Sequence, residues 1–408
     1  MKKKLWITLF LVVPFVLFAG GSGDRSGKVT LRITQGQPEY QTGMQSLINE
    51  YMAQHPNVIV ELDNKTTNDL PVLVASGELP DIFYTPGYSY LETYQEYMLD
   101  LSGQPWERRI SPSAKDQVTH GGKIYGQPIT IAGAGVVYNK KIFNAHGWKI
   151  PTTLTEFTNL LKTIKAAGVT PLVNQFADDW LIGNYTGTVF ANIPNSAAFL
   201  EKLYAGQANF SDAAQIKNSF TLLDIMVQYG QPDPMASGWN EACSAFANEE
   251  AAMVFEGDWI WDTIAAINPG IQCGMFALPT SENPAESRLL VDANYAWHIN
   301  KNSKIKETAL DFLNWMATDA KAKTILLTEM KVVPTFSDWQ YAADNQLSMS
   351  TLEYAKNNKT YRWWWTSWPF QFRESTGKIY QEYLGGKLTK EQALAEMNAV
   401  WKTLSADN

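Results

Sequence analysis

Short runs of alternating apolar and polar residues are separated by longer stretches with a helical period. Residues 29–34 alternate as a strand does. Over 40–54, Met44, Leu47, Ile48, Tyr51 and Met52 fall on one face of a helix. His55-Pro56-Asn57 stops it, because a residue before proline is driven out of the helical region. Residues 58–62 predict the next strand, 70–75 a short helix ending at Gly77, and 81–84 a short strand after Pro80. That order, strand, helix, strand, is the spacing of α/β units. It recurs with strands at 135–138, 171–174, 251–255, 274–278 and 295–299 and helices at 152–167, 213–228, 305–316 and 390–404. Thr153 and Glu156 have capping-box spacing, and Thr389 opens the last helix. No internal repeat appears. No obvious linker divides the chain into two continuous domains, which suggests lobes built from interleaved segments.

The N-terminus departs from this pattern. Lys2, Lys3 and Lys4 precede an apolar run over 5–18 and the small residues Ala19, Gly20, Gly21 and Ser22. This is the layout of a secretory signal, assigned to residues 1–20. The run falls short of the roughly 20 residues that span a bilayer. Residues 21–27 read as a short Ser/Gly-rich tether. The formal net charge is −8, and losing the three lysines of the signal makes the mature chain more acidic still. An acidic chain has no electrostatic attraction to nucleic acid or anionic lipid.

Cys243 and Cys273 make neither a disulfide framework nor a metal site; a bridge between them and two buried thiols are both open. The four histidines, at 55, 120, 146 and 298, are scattered, so no metal is expected. No nucleophile elbow and no phosphate-binding loop appears, and no cofactor is expected.

Five motifs in order point to one family. They are Ala75-Ser76-Gly77-Glu78-Leu79-Pro80-Asp81-Ile82-Phe83; Gly122-Lys123-Ile124-Tyr125-Gly126-Gln127-Pro128 followed by Val137-Tyr138-Asn139-Lys140-Lys141-Ile142-Phe143; Pro151-Thr152-Thr153-Leu154-Thr155-Glu156-Phe157; Ala245-Phe246 with Ala251-Ala252-Met253 and Gly257-Asp258-Trp259; and Lys387-Leu388-Thr389 with Glu391-Gln392-Ala393. Each is weak alone, but together they cover nearly the whole mature chain. The sequence resembles extracellular solute-binding family 1, the maltose-binding-protein-like receptors of ABC importers. The resemblance implies an α/β fold of the periplasmic-binding-protein type II, two lobes around a ligand cleft with interleaved crossings. It places 28–133 and 290–335 in an N-lobe and 134–289 and 336–408 in a C-lobe, with crossings near 131–135, 291 and 334. It implies a monomeric, non-enzymatic receptor for a carbohydrate, probed by permease subunits in the membrane and located in the periplasm or on the outer face of the cell membrane. Where many such receptors carry a lipid-bearing Cys, this chain has Gly21, and Glu249-Glu250 stand where the family often has Gly-Lys.

A sugar offers weakly apolar C–H faces, which pack on aromatic rings, and hydroxyls, which need polar partners once water is excluded. Three segments combine the two: Asp178-Asp179-Trp180, Gly257-Asp258-Trp259-Ile260-Trp261, and Arg362-Trp363-Trp364-Trp365-Thr366-Ser367-Trp368. Trp259 follows a strand and a Gly turn, at the strand end where open α/β sheets bind ligands. In the family this motif's Trp stacks on sugar. Asp258 beside it is a candidate hydroxyl acceptor. Trp180 with Asp178 or Asp179 follows another strand. Glu39 and Tyr40 follow the first strand, Tyr88 lies in the loop after Asp81, and Asn294 sits near the return crossing. Consecutive residues cannot all face one way, so the Trp run must divide between core and cleft, with Trp364 or Trp365 expected at the ligand. Arg362 and Arg373 are candidate guanidinium donors. Two rivals remain: a glycoside hydrolase using two of Asp178, Asp179 and Asp258, and a receptor for a cation such as a polyamine, with Glu39 joining those acids.

Overall fold

Nine of the described strands form one long mixed sheet, and two of them run through its middle. A computed structural model describes residues 27–36, 40–341, 344–369 and 371–406. The expected export signal, most of the tether and Glu39 lie outside the described residues. The strands are β1 (Val29–Thr34), β2 (Val58–Asp63), β3 (Ile82–Thr85), β4 (Thr119–His120), β5 (Lys123–Ile124), β6 (Gln127–Asn139), β7 (Thr170–Val173), β8 (Ala251–Gly257), β9 (Cys273–Phe276), β10 (Leu289–Ile299) and β11 (Thr360–Tyr361). Their order is β2-β1-β3-β10-β6-β8-β7, with β11 beside β10, β9 beside β6, and β4-β5 a separate pair. Helices cover both faces, so the central strands read as apolar runs rather than alternating ones.

Most elements lie within a residue or two of their expected positions. The crossing strands are longer than their patterns suggested. β6 extends over thirteen residues where 135–138 was expected, and β10 over eleven where 295–299 was expected. The missed part of β6 is buried throughout and contains Gly133, with Gly135 just beyond it. Glycine weakens a strand pattern, but here it admits neighbours: a Cβ at 133 would overlap the Thr351 hydroxyl, and one at 135 the Phe276 carbonyl. The first helix of the 152–167 region, Leu154–Ala166, is capped by Thr153, whose hydroxyl accepts from Glu156 N. Glu156 reaches back to Thr152 N at 2.8 Å, one residue before the cap, so the reciprocal box is displaced. The last helix has a complete box between Thr389 and Gln392.

Two large apolar cores follow. One joins β1 to the helices Gln41–Gln54 and Lys306–Thr318 through Leu31, Met44, Leu47, Tyr51, Phe312 and Leu313, and continues to Phe246 and Ile264. The other fills the space around Phe157, Tyr185, Phe190, Phe220, Phe372 and Trp401. Cys243 and Cys273 are free, buried thiols, so the bridge is not formed.

The directions of the strands define a gap. β3 is antiparallel to β10, β10 to β6, and β6 to β8, while β1 and β3 are parallel and so are β7 and β8. The C-terminal ends of β1 and β3 therefore point toward those of β7 and β8. Thr85 at the end of β3 pairs with Ala296, which pairs with Pro128, whereas Gly257 at the end of β8 pairs with Ala134. Six residues of β6 separate the two levels, about 20 Å at the usual strand rise.

Candidate functional site

Ligands of open α/β sheets bind beyond the C-terminal ends of strands. Here two such sets of ends face each other across the middle of β6 and β10, which floor the gap. On the β1–β3 side lie Tyr40 and Tyr88. Tyr40 is half-buried and meets Tyr295 edge-on at 5.5 Å, while Tyr295 stacks on Tyr84 at 4.7 Å. Tyr88 opens a short helix directly after β3. Asn294 is the extra residue of a β-bulge: Ala293 pairs with Ile131 and Tyr295 with Thr130. A bulge bends its strand and increases the local twist, and is common beside functional sites.

On the β7–β8 side Trp259 is held on two sides. Its six-membered ring lies over Gly257, where a Cβ would overlap it. Its ring meets Trp363 edge-on at 5.9 Å. The ring remains half-exposed and touches both apolar cores. Gly at 257 is thus a close-approach residue, consistent with the Gly-x-Trp pattern. Trp363 in turn stacks on Trp365 at 5.1 Å, and Trp365 is half-exposed with its ring against Gly187. Trp259, Trp363 and Trp365 form a continuous aromatic row with two accessible members.

Several expected contacts have other work. Asp258 is 4% exposed. Its Oδ2 accepts from Gly133 N at 3.1 Å and from the Thr351 hydroxyl at 2.7 Å, and Asn345 donates to its backbone carbonyl. The carboxyl ties β6 at mid-sheet to the helix Gln346–Lys356 rather than meeting the gap. Burial pushes it up to about 7, against the hydrogen bonds from Thr351 and Gly133. Asp178 accepts from Trp239 N at 2.7 Å and so caps the helix Trp239–Ala247. Asp179 pairs with Lys378 at 3.7 Å on an accessible surface. Trp180 is half-buried in the first turn of the helix Asp179–Ala191. Trp364 is 6% exposed and packs against Phe190, so of the Trp364–Trp365 pair the structure turns Trp364 into the core. Arg362 lies 4.6 Å over the Trp364 ring and donates to the Ser367 hydroxyl, and Arg373 pairs with Glu374; both guanidinium groups are engaged within the protein.

Sequence reasoning missed two acids. Glu256 is 3% exposed and accepts from Gly257 N at 2.7 Å and Gln175 Nε2 at 3.0 Å. Burial pushes it up to about 8. Asp292 in β10 is fully buried, accepts from Trp363 N at 3.0 Å and from Ala293 N at 2.7 Å, and is pushed up to about 8 by burial, opposed by Arg362. Both stand inside strands, where an apolar-run pattern gives an acid no distinguishing mark. Two acids, Glu256 and Asp258, flanking the glycine that ends β8 were the available signal.

Among the described residues no group of three His, Cys, Asp or Glu is placed to hold a metal, and no helix is long and apolar enough to cross a membrane. Comparison with known proteins agrees with this geometry. The profile of the family described as bacterial extracellular solute-binding protein matches residues 21–323. The multiple sugar-binding protein of Streptococcus mutans is 24% identical over 331 residues, covering 78% of this chain and 79% of that protein. The melibiose/raffinose/stachyose-binding protein MelE of Bacillus subtilis is 25% identical over 342 residues, 78% of each chain. A putative binding protein of Bacillus subtilis solved in an open conformation superposes with a TM-score of 0.83 at 21% identity, over 94% of this chain and 99% of that one.

Proposed function

The chain belongs to the bacterial extracellular solute-binding protein family, and from that premise we propose that it is the receptor of an ABC importer, capturing an oligosaccharide between two lobes and delivering it to the membrane permease. The observation that carries this reading is the aromatic row ending in Trp259 at the facing strand ends, a platform for sugar C–H faces. The two similar curated proteins are both named as sugar-binding. Trp259 and Trp365 would each serve a ring, with Tyr40, Tyr88, Asn294 and Trp180 supplying the remaining contacts. Residues 28–133 with 290–335, and 134–289 with 336–408, move as the lobes, flexing where β6 and β10 cross. Ligand touching both sides shifts the population toward closure, and the permease reads the closed form. The mature protein works as an exported monomer.

The same geometry disfavours the rivals. A hydrolase needs two carboxyls flanking the scissile bond, and a polyamine needs carboxylates facing the gap. Asp178 and Asp258 are committed to backbone N–H groups and Asp179 to Lys378. Titration with raffinose, stachyose, maltotriose, monosaccharides and spermidine, followed by Trp fluorescence and melting temperature, tests the reading. A bound sugar at a hundred times its Kd stabilises the fold by about 2.7 kcal/mol. Response to spermidine alone, or release of sugar from an aryl glycoside, overturns it.

A further inference from the structure

Both accessible rings of the aromatic row lie against glycines. Trp259 rests on Gly257, close by in the chain, whereas Trp365 rests on Gly187, inside the helix Asp179–Ala191. We propose that Gly187 is the positioning residue for the second platform: because it has no side chain, the Trp365 ring lies back against the helix and the gap keeps room for a second sugar ring. The inference rests on the carbohydrate reading above and deepens it, since it assigns a residue to the choice between short and long sugars.

Gly187 is a poor choice for the helix that contains it. Only proline is less favourable than glycine in a helix interior, and alanine is the best residue there. Alanine would conflict with Trp365 instead, because a Cβ at 187 overlaps the six-membered ring at Cε3 and Cζ3. The obstacle is a rigid ring carried on a fixed backbone. Trp365 belongs to the single turn Trp364–Ser367, which is tied at three points. Before the turn, Asp292 accepts from Trp363 N at 3.0 Å. Leu289 and Leu290 of β10 pair with Thr360 and Tyr361 of β11, so Asp292 and Trp363 stand two positions further along the same register. There the carboxyl takes the N–H and the chain leaves the sheet. Within the turn, the Thr366 hydroxyl donates to the Trp363 carbonyl at 2.6 Å, and at its end Tyr204 donates to the Ser367 carbonyl at 2.9 Å. A backbone held in this way passes any displacement to the side chain. The Trp365 ring also stacks on Trp363 at 5.1 Å and is half-exposed, so its open direction is the solvent.

That solvent belongs to the gap. The residue after Trp365, Thr366, touches the β3 side at Gly87, directly before Tyr88: a Cβ on Gly87 would come within 2.7 Å of the Thr366 methyl. Trp365 therefore stands where the two sides of the gap meet. A ring swung out from Gly187 enters the space a second sugar ring would occupy, while Trp259 keeps its own glycine.

The test reads affinity against chain length. Glucose, galactose, melibiose, raffinose, stachyose and maltotriose are titrated into the wild type, Gly187→Ala, Trp365→Ala and the double variant. Misplacing one stacking platform predicts about tenfold weaker binding of the longer sugars to Gly187→Ala, with less than about a twofold change for those monosaccharides that bind. Gly187→Ala should add nothing in the Trp365→Ala background, where no ring remains to be displaced. A second measurement needs no variant at 187. In the ligand-free wild type with labelled glycine and tryptophan, nuclear Overhauser effects should connect the Gly187 Hα protons to Trp365 Hε3. Their absence, an equal loss for all sugars in Gly187→Ala, or equal losses in both backgrounds would overturn this proposal and leave the carbohydrate reading in place. A wild type silent toward every sugar overturns that reading, and this inference with it.

Discussion

Two segments of this chain are dense in tryptophan, and they use it differently. In the turn from Gly257 to Trp261, one ring is left half-exposed by a strand that ends, a glycine that admits it and a Trp363 edge that meets it. In the run from Trp363 to Trp368, Trp363, Trp364 and Trp368 are buried, and Trp365 alone of the four is half-exposed. The run is pinned to β10 through Asp292 and to the second core through Phe190, which Trp364 and Trp368 approach at 5.6 and 5.5 Å. Abundance of an aromatic residue therefore says little about exposure. Position relative to a strand end says more, because the backbone there leaves the sheet and the side chain has no facing layer.

Truncating the buried member should give the largest effect. Trp364→Ala removes a core indole and leaves a cavity, at a cost of about 3–5 kcal/mol. Its melting temperature should fall by several degrees, while protein that remains folded should bind sugar with nearly wild-type affinity. A normal melting temperature with lost affinity would reverse the roles assigned to the two segments. Trp259→Ala should do the opposite. Loss of one aromatic platform, about 1.5–3 kcal/mol of burial, weakens binding roughly 10- to 100-fold with a smaller change in melting temperature. If Trp259→Ala binds every sugar as the wild type does, the aromatic row is not the platform.

A pH titration sharpens the comparison, because each segment leans on a buried acid. Glu256 supports the first and Asp292 the second, both pushed up to about 8, and Asp258 between them to about 7. The ordinary values are 4.5 and 3.8. The native state keeps these protons in a range where the unfolded chain releases them, so their contribution is complete below about pH 4 and is lost as the pH rises toward 8. Melting temperature should therefore fall across that window. Asp292→Asn should flatten the fall without abolishing it. A stability that rises from pH 5 to 8 would show that these acids are ionised when folded.

Much of this was legible beforehand, for reasons that particular residues make clear. β1, the helix from Gln41 and the final helix announce themselves through period and caps, as Thr389 and Gln392 do. The place of Trp259 follows from a strand, a glycine and a turn. The partners of the acids were not legible, because they lie far along the chain. Asp258 looked like a ligand group, yet its partners are Gly133 and Thr351, residues more than ninety positions away. Glu256 looked like an ordinary strand residue until Gln175, eighty-one positions away, closed on it. The extent of β6 was hidden for the same reason: Gly133 makes sense in a strand only once Thr351 is beside it.

The third acid-and-Trp segment, Asp178-Asp179-Trp180, gives the smallest expected effect and separates two kinds of carboxylate at one helix start. Asp178 caps a neighbouring helix from a part-buried position, whereas Asp179 meets Lys378 with the lysine side chain 69% exposed. An exposed ion pair gains little, because water and salt screen it and two side chains must be ordered to form it. Lys378→Ala should change stability by less than about 0.5 kcal/mol and sugar affinity by less than about twofold. Asp178→Ala should cost about 1 kcal/mol through the lost cap. Chemical denaturation of both variants measures the difference. If Lys378→Ala instead alters affinity strongly, Asp179 is held by that lysine for the ligand, and the β7 side of the gap takes a larger share of recognition than the aromatic row assigns to it.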